Sequence, residues 1–208
     1  MHKHEKILSY QGTDLDEAEK AMIFVHGRGA NPESILGLAP HLKVDGFALL
    51  APAAKDNTWY PFSFLAPKAQ NEPGISSGLQ VLEETLAEVE QAGIKKENVY
   101  FLGFSQGACL VSEFLARNAS RYGGAFIYSG GVIGDHIEES NYSGDFGGTP
   151  ILIGCSDIDA HVPLHRVQDT TRIFKAMGAE VNERIYPGAP HTIFEDEIEI
   201  TNQILEKG

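Results

Sequence analysis

Short apolar segments alternate along the chain with longer amphipathic segments, and this alternation predicts strands that alternate with helices. The predicted strands are residues 6–11, 21–26, 47–52, 99–104, 125–130, 150–155 and 181–186. The first and last of them alternate polar and apolar positions, as half-exposed edge strands do. The middle ones are almost continuously apolar, which is typical of strands buried on both faces of a parallel sheet.

The amphipathic segments predict helices, and their ends carry the residues that commonly begin and end helices. Residues 75–93 have apolar side chains at helical spacing and end at Gly93, a common C-terminal cap. Residues 163–178 begin with proline and end with glycine, the expected asymmetry. The other predicted helices are residues 106–118 and 192–208. The alternation predicts one α/β domain over residues 1–208, a three-layer sandwich with a mostly parallel sheet of about seven strands.

Residues 52–74 do not fit this alternation. The segment is long for a connection, contains four prolines and includes Trp59, the only tryptophan. Its aromatic side chains make it apolar, so we expect a loop that packs over the core, or a wall or lid over a binding pocket in which Trp59 contacts the substrate. The apolar residues 59–65 could instead face a second copy of the chain, which leaves a homodimer as an alternative.

Composition and charge exclude several classes of function. The 208 residues carry a net charge of -13, so we expect no nucleic-acid partner. No apolar run approaches the ~20 residues that span a bilayer. The first residues lack the apolar segment of a secretory signal, so a cytoplasmic location is expected. Cys109 and Cys155 are predicted to be buried free thiols, and no zinc-ligand spacing surrounds them.

Ser105 is the candidate nucleophile, at the centre of the sequence Gly103-Phe104-Ser105-Gln106-Gly107. A G-x-S-x-G pattern alone is weak evidence, but this one lies where a strand turns sharply into a helix. Such a turn holds the nucleophile in a strained backbone conformation and points its hydroxyl out of the sheet. The free amides at the start of the helix favour a developing negative charge.

A serine nucleophile needs a base, and His191 is the preferred candidate among the eight histidines. Ser105, an aspartate and His191 each follow a predicted strand, in the Ser, Asp, His order of this architecture. Asp157 and Asp159 follow the same strand, and spacing does not choose between them. His161 is an alternative base, although it lies two residues from Asp159. His2 and His4 are assigned to a mobile terminal arm.

An oxyanion hole requires two backbone N–H donors. Gln106 follows the nucleophile and is expected to provide one of them. Arg28 is expected to provide the other, because Gly27 and Gly29 let the backbone of that loop come close to the substrate. The side chain of Arg28 is interpreted either as a surface cation or as a group that attracts an anionic part of the substrate.

Six segments in order resemble the phospholipase/carboxylesterase family of α/β-hydrolases, which includes acyl-protein thioesterases and small bacterial carboxylesterases. They are VHGRGAN (25–31), TWYPF (58–62), EPGISSGL (72–79), GFSQGA (103–108), SDIDAHVP (156–163) and YPGAPHTI (186–193). The resemblance covers nearly the whole chain and implies an α/β-hydrolase fold. The family's D-x-x-V-P arrangement matches Asp159 rather than Asp157. Its nucleophile, base and oxyanion donors fall on Ser105, His191, Arg28 and Gln106.

The resemblance implies a carboxylesterase that works through an acyl-enzyme on a small ester or thioester, without metal or cofactor. Thioesterase and lysophospholipase activities on the same triad are alternatives, as are lactones and small peptides as substrates. A non-catalytic binding protein on the same fold is a further alternative. The chain departs from the H-G-L-G-D sequence of many members at Arg28 and Ala30. A serine at position 105 weakens a relation to dienelactone hydrolases, which have cysteine there.

Overall fold

The central feature of the fold is a seven-stranded sheet with the strand order β1-β3-β2-β4-β5-β6-β7. The structure is a computed structural model that describes residues 2–208. The strands are β1 Leu8–Gly12, β2 Lys20–Val25, β3 Phe47–Pro52, β4 Val99–Phe104, β5 Gly124–Tyr128, β6 Pro150–Ser156 and β7 Glu180–Tyr186. Strand β1 runs antiparallel to β3, and every other neighbouring pair is parallel. The predicted strands and the mostly parallel sheet are therefore confirmed.

Helices cover both faces of this sheet. They are α1 Pro32–Leu36, α2 Gly74–Gln91, α3 Gln106–Arg117, α4 Leu164–Ala176 and α5 Glu195–Leu205. Short 3₁₀ turns occur at Ala39–His41, Lys55–Asn57, Lys68–Asn71, Lys96–Asn98 and Glu139–Asn141. In the part of the chain that the structure describes, no helix combines the length and the apolar character needed to cross a membrane.

The alternation of side chains along the central strands creates one apolar core on each face of the sheet. In β2, Ala21, Ile23 and Val25 belong to the core beneath α2, α3 and α4. Met22 and Phe24 point the other way, into the core covered by α1 and α5. Successive residues of a strand face opposite sides, so a strand buried on both sides must be apolar at every position. This requirement explains the continuously apolar segments of the sequence.

Helix α1 is the element that the periodicity of the sequence does not predict. It has only five residues, which is too few for a recognisable 3.6-residue period. Its local signals are nevertheless present. The Asn31 side chain accepts a hydrogen bond from Ser34 N, the Ser34 hydroxyl oxygen accepts from Asn31 N, and Pro32 occupies the first turn. These capping residues, rather than periodicity, are the sequence signal for α1.

The N-terminal arm is not a mobile tail, and this prediction was wrong for His4. His4 is buried, and its backbone N–H donates a hydrogen bond to Ser77 Oγ. Its ring nitrogens contact Trp59 O at 2.7 Å and Lys55 N at 3.0 Å. The ring of His2 contacts Thr58 O. The arm is therefore fixed by polar contacts to the 52–74 segment, which no pattern in the first residues indicates.

Burial, together with hydrogen bonds that one ring nitrogen accepts, keeps His4 and His26 in the neutral form. His4 Nδ1 accepts from Lys55 N, and His26 Nε2 accepts from Ala54 N at 3.1 Å. Desolvation by burial lowers the pKa of both rings, and hydrogen bonds to Trp59 O and to Gly27 O only partly oppose it. Protonation would add a hydrogen to a nitrogen that already accepts a backbone N–H, so both rings resist it.

These lowered pKa values predict a loss of stability in mild acid. In the unfolded chain His4 and His26 take up protons near pH ~6.5, whereas in the folded chain these two rings do so only at lower pH. The free energy of unfolding should therefore fall as the pH drops from about 6.5 toward 5, by at most about 1.4 kcal/mol per pH unit for each histidine. The free energy of unfolding, measured with urea at several pH values, should change less steeply with pH for His4→Gln than for the parent chain. His41→Gln, at an exposed histidine, is the matched control and should leave the slope unchanged. Equal slopes for all three proteins would contradict this origin of the acid sensitivity.

Candidate active site

Ser105 occupies the sharp turn between β4 and α3, with backbone angles φ 54° and ψ −118°. The backbone of L-residues rarely adopts these φ and ψ angles, so the serine is held in a strained conformation, as the G-x-S-x-G pattern predicts. The turn is held by the hydrogen bond from Ser105 N to Tyr128 O at 2.9 Å. Glycine is required on both sides of it. A Cβ at Gly107 would lie 2.1 Å from Val25 O, and one at Gly103 would lie 2.7 Å from Ala108 Cα.

His191 joins Ser105 to Asp159 through its two ring nitrogens. His191 Nε2 lies 2.8 Å from Ser105 Oγ, and His191 Nδ1 lies 2.6 Å from Asp159 Oδ2. An ionised carboxylate only accepts hydrogen bonds, so Nδ1 carries the hydrogen and Nε2 is left to accept the serine proton. The three side chains come from the carboxyl ends of β4, β6 and β7, three parallel strands whose ends meet at one edge of the sheet. The structure thus brings together the three residues that the sequence selects.

Asp159 is held as a carboxylate. Its Oδ1 accepts hydrogen bonds from His161 N at 2.8 Å and from Val162 N at 2.9 Å. Desolvation by burial opposes ionisation, but the hydrogen bonds from His191 and from these two amides outweigh it and hold the pKa of Asp159 below its usual value. Asp157 lies outside this line, because its Oδ1 accepts from Gly188 N at 2.8 Å. Its contacts therefore agree with the choice of Asp159 that the family resemblance implies.

The ring of His191 is positioned between two other rings. The Phe104 ring lies 5.1 Å away between centroids, and the His161 ring packs edge-on at 5.0 Å. His161 therefore contacts the imidazole, while Ser105 Oγ is hydrogen-bonded to His191. In these contacts His161 is a neighbour of the base rather than a partner of the serine.

The loop after β2 lies beside the serine, as an oxyanion loop must. A Cβ at Gly27 would lie 3.4 Å from Ser105 Cβ. Gly29 has φ +76°, and its N–H donates to Asn57 O at 2.7 Å. Neither Arg28 N nor Gln106 N has a hydrogen-bond acceptor among residues 2–208. Two free amides next to a serine hydroxyl are the arrangement that can receive a developing oxyanion.

The Arg28 side chain is an exposed cation at the cavity, in agreement with its interpretation as a surface cation, and it is also bonded within the chain. Its guanidinium donates hydrogen bonds to the backbone carbonyl oxygens of Tyr60, Pro61 and Phe62, at 2.9, 3.0 and 2.7 Å. Arginine is suited to this because its planar group offers five donors in a fixed geometry. These donors are used within the chain, which leaves Nη2 none for an anionic substrate.

A cavity of about 810 Å³ opens next to Ser105, within the size range of small-molecule sites. The loop after β2, Ser105, His191 and their neighbours form one side of the cavity, and the other walls are mostly apolar. These wall residues are Tyr60, Pro61, Phe62, Ser63, Phe64, Cys109, Ala160 and Val162. The 52–74 segment is therefore both packed over the core and a wall of the cavity.

Two residues predicted to contact substrate lie outside the cavity walls. Trp59 is fully buried behind the segment, where its Nε1 donates to His26 O at 2.9 Å. Its ring packs against His4 and His26 and anchors the wall instead of forming it. Gly29 likewise turns the loop without lining the cavity, whereas Gly27 does line it. The predicted substrate contacts of Trp59 and Gly29 are therefore corrected, and Tyr60 to Phe64 provide the wall.

Cys109 is a wall residue of the cavity, which the sequence predicts only as a buried thiol. It follows Ser105 by four residues, so helical geometry places it on the same side of α3. Both cysteines are buried free thiols, as predicted. Burial raises the pKa of Cys109 to about 12, so this thiol is neutral at physiological pH. Among residues 2–208, no group of three or more His, Cys, Asp or Glu side chains is placed to hold a metal ion.

Comparison with known proteins shows the family and the fold of the chain. The model of the Phospholipase/Carboxylesterase family matches residues 12–208, nearly the whole chain. The chain belongs to this family. A phospholipase/carboxylesterase from Dyadobacter fermentans superposes with a TM-score of 0.97 at 45% identity, and the match covers 99% of each chain. The fold is the α/β-hydrolase fold of these neighbours.

Curated relatives in this family carry the names of thioesterases and carboxylesterases. The "Acyl-protein thioesterase 1" of Kluyveromyces lactis is 25% identical over 198 residues, which cover 91% of this chain and 81% of the relative. The "Probable carboxylesterase SOBER1-like" of Arabidopsis thaliana is 26% identical over 153 residues, which cover 72% of this chain and 58% of the relative. This family member is accordingly an ester hydrolase of the carboxylesterase and thioesterase type.

Proposed function

We propose that the chain hydrolyses small, uncharged carboxylic esters through a catalytic triad of Ser105, His191 and Asp159. The observation that carries the proposal is the continuous line from Ser105 Oγ through both nitrogens of His191 to Asp159, at 2.8 and 2.6 Å. A base that is itself oriented by a carboxylate is what a serine hydroxyl needs to become a nucleophile. The strained turn that presents the hydroxyl and the two free amides beside it support the same chemistry.

Acylation uses these groups in one sequence of proton transfers. His191 Nε2 takes the hydroxyl proton as Ser105 Oγ bonds to the ester carbonyl carbon, and the carbonyl oxygen becomes the oxyanion. The amides of Arg28 and Gln106 stabilise it. Asp159 holds the imidazole in the required tautomer and stabilises the imidazolium. His191 then protonates the leaving alcohol as the carbon–oxygen bond to it breaks.

Deacylation repeats the sequence with water. His191 removes a proton from a water molecule whose oxygen bonds to the acyl carbon of Ser105. The oxyanion returns to the same two amides. The bond between the acyl carbon and Ser105 Oγ then breaks as His191 returns the proton to Oγ. This step releases the carboxylic acid and restores the enzyme. All proton transfers use side chains of this chain, and no metal or cofactor enters the steps.

The walls of the cavity support a neutral substrate. Aromatic and aliphatic side chains form most of them, and the guanidinium of Arg28 is occupied by backbone carbonyls. A carboxylate on the acyl chain would lose its hydration against these apolar walls, and the Nη2 donors of Arg28 are already used by Tyr60 O and Phe62 O. Thioesters remain a second candidate, because the Kluyveromyces lactis relative is named an acyl-protein thioesterase and the same triad cleaves a thiol leaving group.

A panel of activated esters tests this function. For neutral p-nitrophenyl esters of increasing acyl length, we expect turnover with a clear optimum. A p-nitrophenyl ester whose acyl chain ends in a carboxylate should show a kcat/KM lower by about tenfold or more than a neutral ester of the same length. The matching thioesters, assayed beside them, measure the preference between the two leaving groups. A pure sample that hydrolyses none of these substrates would favour a non-catalytic binding protein instead.

Other features of the molecule stay predictions. We expect a small-molecule substrate, a cytoplasmic location and no nucleic-acid partner, on the basis of the net charge of -13 and the composition. The homodimer remains an alternative. Phe62, at 54% exposure, is the exposed apolar side chain that residues 59–65 offer for such a contact.

A further inference from the structure

The side chains of the two oxyanion residues meet at one backbone oxygen. Arg28 Nη2 donates a hydrogen bond to Tyr60 O at 2.9 Å, and Gln106 Nε2 donates to the same oxygen at 2.8 Å. Gln106 and Tyr60 are both buried, at 6% and 1% exposure. A hydrogen bond in such a desolvated position is stronger than one in water and more costly to break.

Further bonds attach each residue to the same stretch of backbone. Two further N–H groups of Arg28, on Nη1 and Nη2, donate to the carbonyl oxygens of Pro61 and Phe62. Gln106 Oε1 accepts from Trp59 N at 2.9 Å, so its amide holds the segment by a donor and by an acceptor. Arg28 thus uses three of its five N–H donors on residues 60–62, and Gln106 bonds Trp59 and Tyr60 through both ends of its amide. Those residues are themselves fixed through the indole of Trp59.

The two donor amides have no direct hydrogen-bonded connection to each other. Arg28 lies on the loop after β2, and Gln106 is the first residue of α3. Within residues 2–208, no hydrogen bond runs between residues 26–30 and α3. The loop is instead bonded to the 52–74 segment, through Gly29 N to Asn57 O and through the Arg28 side chain. The direct hydrogen-bonded path between the two side chains passes through Tyr60 O. A second path runs from His26 O through Trp59 to Gln106 Oε1.

We propose that the Tyr60 carbonyl oxygen fixes the separation of the two oxyanion donor amides. In this proposal Arg28 and Gln106 act, through their side chains, as positioning residues for the oxyanion hole. This inference rests on the proposed function, because it concerns the separation of amides that receive the oxyanion. An oxyanion hole works only when its donors are fixed before the charge develops. The wall of the cavity and the oxyanion hole are then one hydrogen-bonded unit.

Methionine at either position removes the polar side-chain bonds and keeps the backbone N–H. For Arg28→Met and Gln106→Met we expect kcat to fall by about 10- to 100-fold, with KM changed by less than about threefold. The affinity for an alkyl boronic acid should fall by the same factor as kcat. In that adduct Ser105 Oγ bonds to boron, its proton passes to His191, and a boronate hydroxyl occupies the oxyanion position. Arg28→Lys should recover part of the loss, since an ammonium reaches some of the carbonyls.

Coupling between the two side chains gives a second readout. Because they share one acceptor, the double variant Arg28→Met/Gln106→Met should lose less activity than the product of the two single losses. The exposed residues Arg172 and Gln80 provide matched controls. Arg172→Met and Gln80→Met should keep kcat and boronate affinity. Titration with a fluorophosphonate counts the competent active sites, so kcat refers only to folded enzyme.

Three results would overturn the inference. The first is a wild-type kcat in both single variants. The second is a raised KM at unchanged kcat and boronate affinity, which would make Arg28 or Gln106 a substrate-binding group. The third is a reduced number of active sites with unchanged kcat per site, which would mean that these hydrogen bonds serve only the stability of the fold. If Ser105→Ala retained wild-type turnover, the proposed function itself would fail, so the two failures are distinguishable.

Discussion

Ser105→Ala is expected to lower kcat for a short neutral p-nitrophenyl ester by about five to six orders of magnitude. The hydroxyl that His191 contacts at 2.8 Å is the atom that forms the acyl-enzyme, and alanine offers no substitute. The remaining rate would come from the oxyanion amides acting on water. Steady-state kinetics on protein free of contaminating esterase measures the effect, with circular dichroism to show that the fold is retained.

Ser129→Ala is the matched control for this variant. Ser129 also has a left-handed backbone, with φ 53°, and it lies just beyond the end of the neighbouring strand β5. Like Ser105, it is a serine with a strained backbone at the end of a strand. It does not take part in the hydrogen bonds that join Ser105, His191 and Asp159. Its replacement should change kcat by less than about threefold. Loss of activity in Ser129→Ala with activity retained in Ser105→Ala would reverse the assignment of the nucleophile.

His191→Ala is expected to cost nearly as much as Ser105→Ala, about five orders of magnitude in kcat. Without the imidazole the serine proton has no acceptor, and the leaving alcohol has no donor. His161→Ala is the decisive comparison, because its ring packs on His191 at 5.0 Å and is the other candidate base. We expect at most about a tenfold loss from His161→Ala, due to looser placement of the His191 ring.

The double variant Ser105→Ala/His191→Ala provides an internal check on this pair. Groups that act as one unit lose their joint contribution when either is removed, so the double variant should be about as slow as either single variant. A larger loss from His161→Ala than from His191→Ala would identify His161 as the base. Additive losses in the double variant would mean that Ser105 and His191 act in separate steps.

The sheet was predictable because burial on both faces leaves few choices at each position. Residues 47–52 and 99–104 were predicted with the bounds that the structure gives to β3 and β4. The ends of the other strands differ by one or two residues, where pairing with a neighbour rather than apolar character decides the boundary. Helix α2 was recognised for the same reason, since an amphipathic helix on a sheet repeats its apolar positions.

Much of the candidate site was predictable because its backbone requirements leave marks in the sequence. The turn at Ser105 needs glycine at positions 103 and 107, and strand order places the side chains at one edge of the sheet. The aspartate was different, because spacing left Asp157 and Asp159 open and only the family pattern chose between them. The local geometry of the turn points the side chains of Asp157 and Asp159 in different directions, and the spacing of residues in the sequence does not show that geometry.

Long-range side-chain contacts could not be predicted from the sequence. His4 reaches Trp59 across 55 positions, and the Arg28 side chain donates to carbonyl oxygens of residues 60–62. Backbone carbonyls leave no trace in the sequence, so neither partner indicates the contact. The same reason explains why Trp59 was expected in the cavity, where Tyr60 to Phe64 form the wall instead.

The central claim is that Ser105 is the one nucleophile of this chain, and covalent labelling tests it most directly. A fluorophosphonate loses fluoride to an activated serine and leaves a stable phosphonyl group on its oxygen. Intact mass spectrometry should show one added group per chain, and peptide mapping should locate it on Ser105. The label should be absent from Ser105→Ala and strongly slowed in His191→Ala. An unlabelled wild-type protein, or a label on any other residue, would contradict the account.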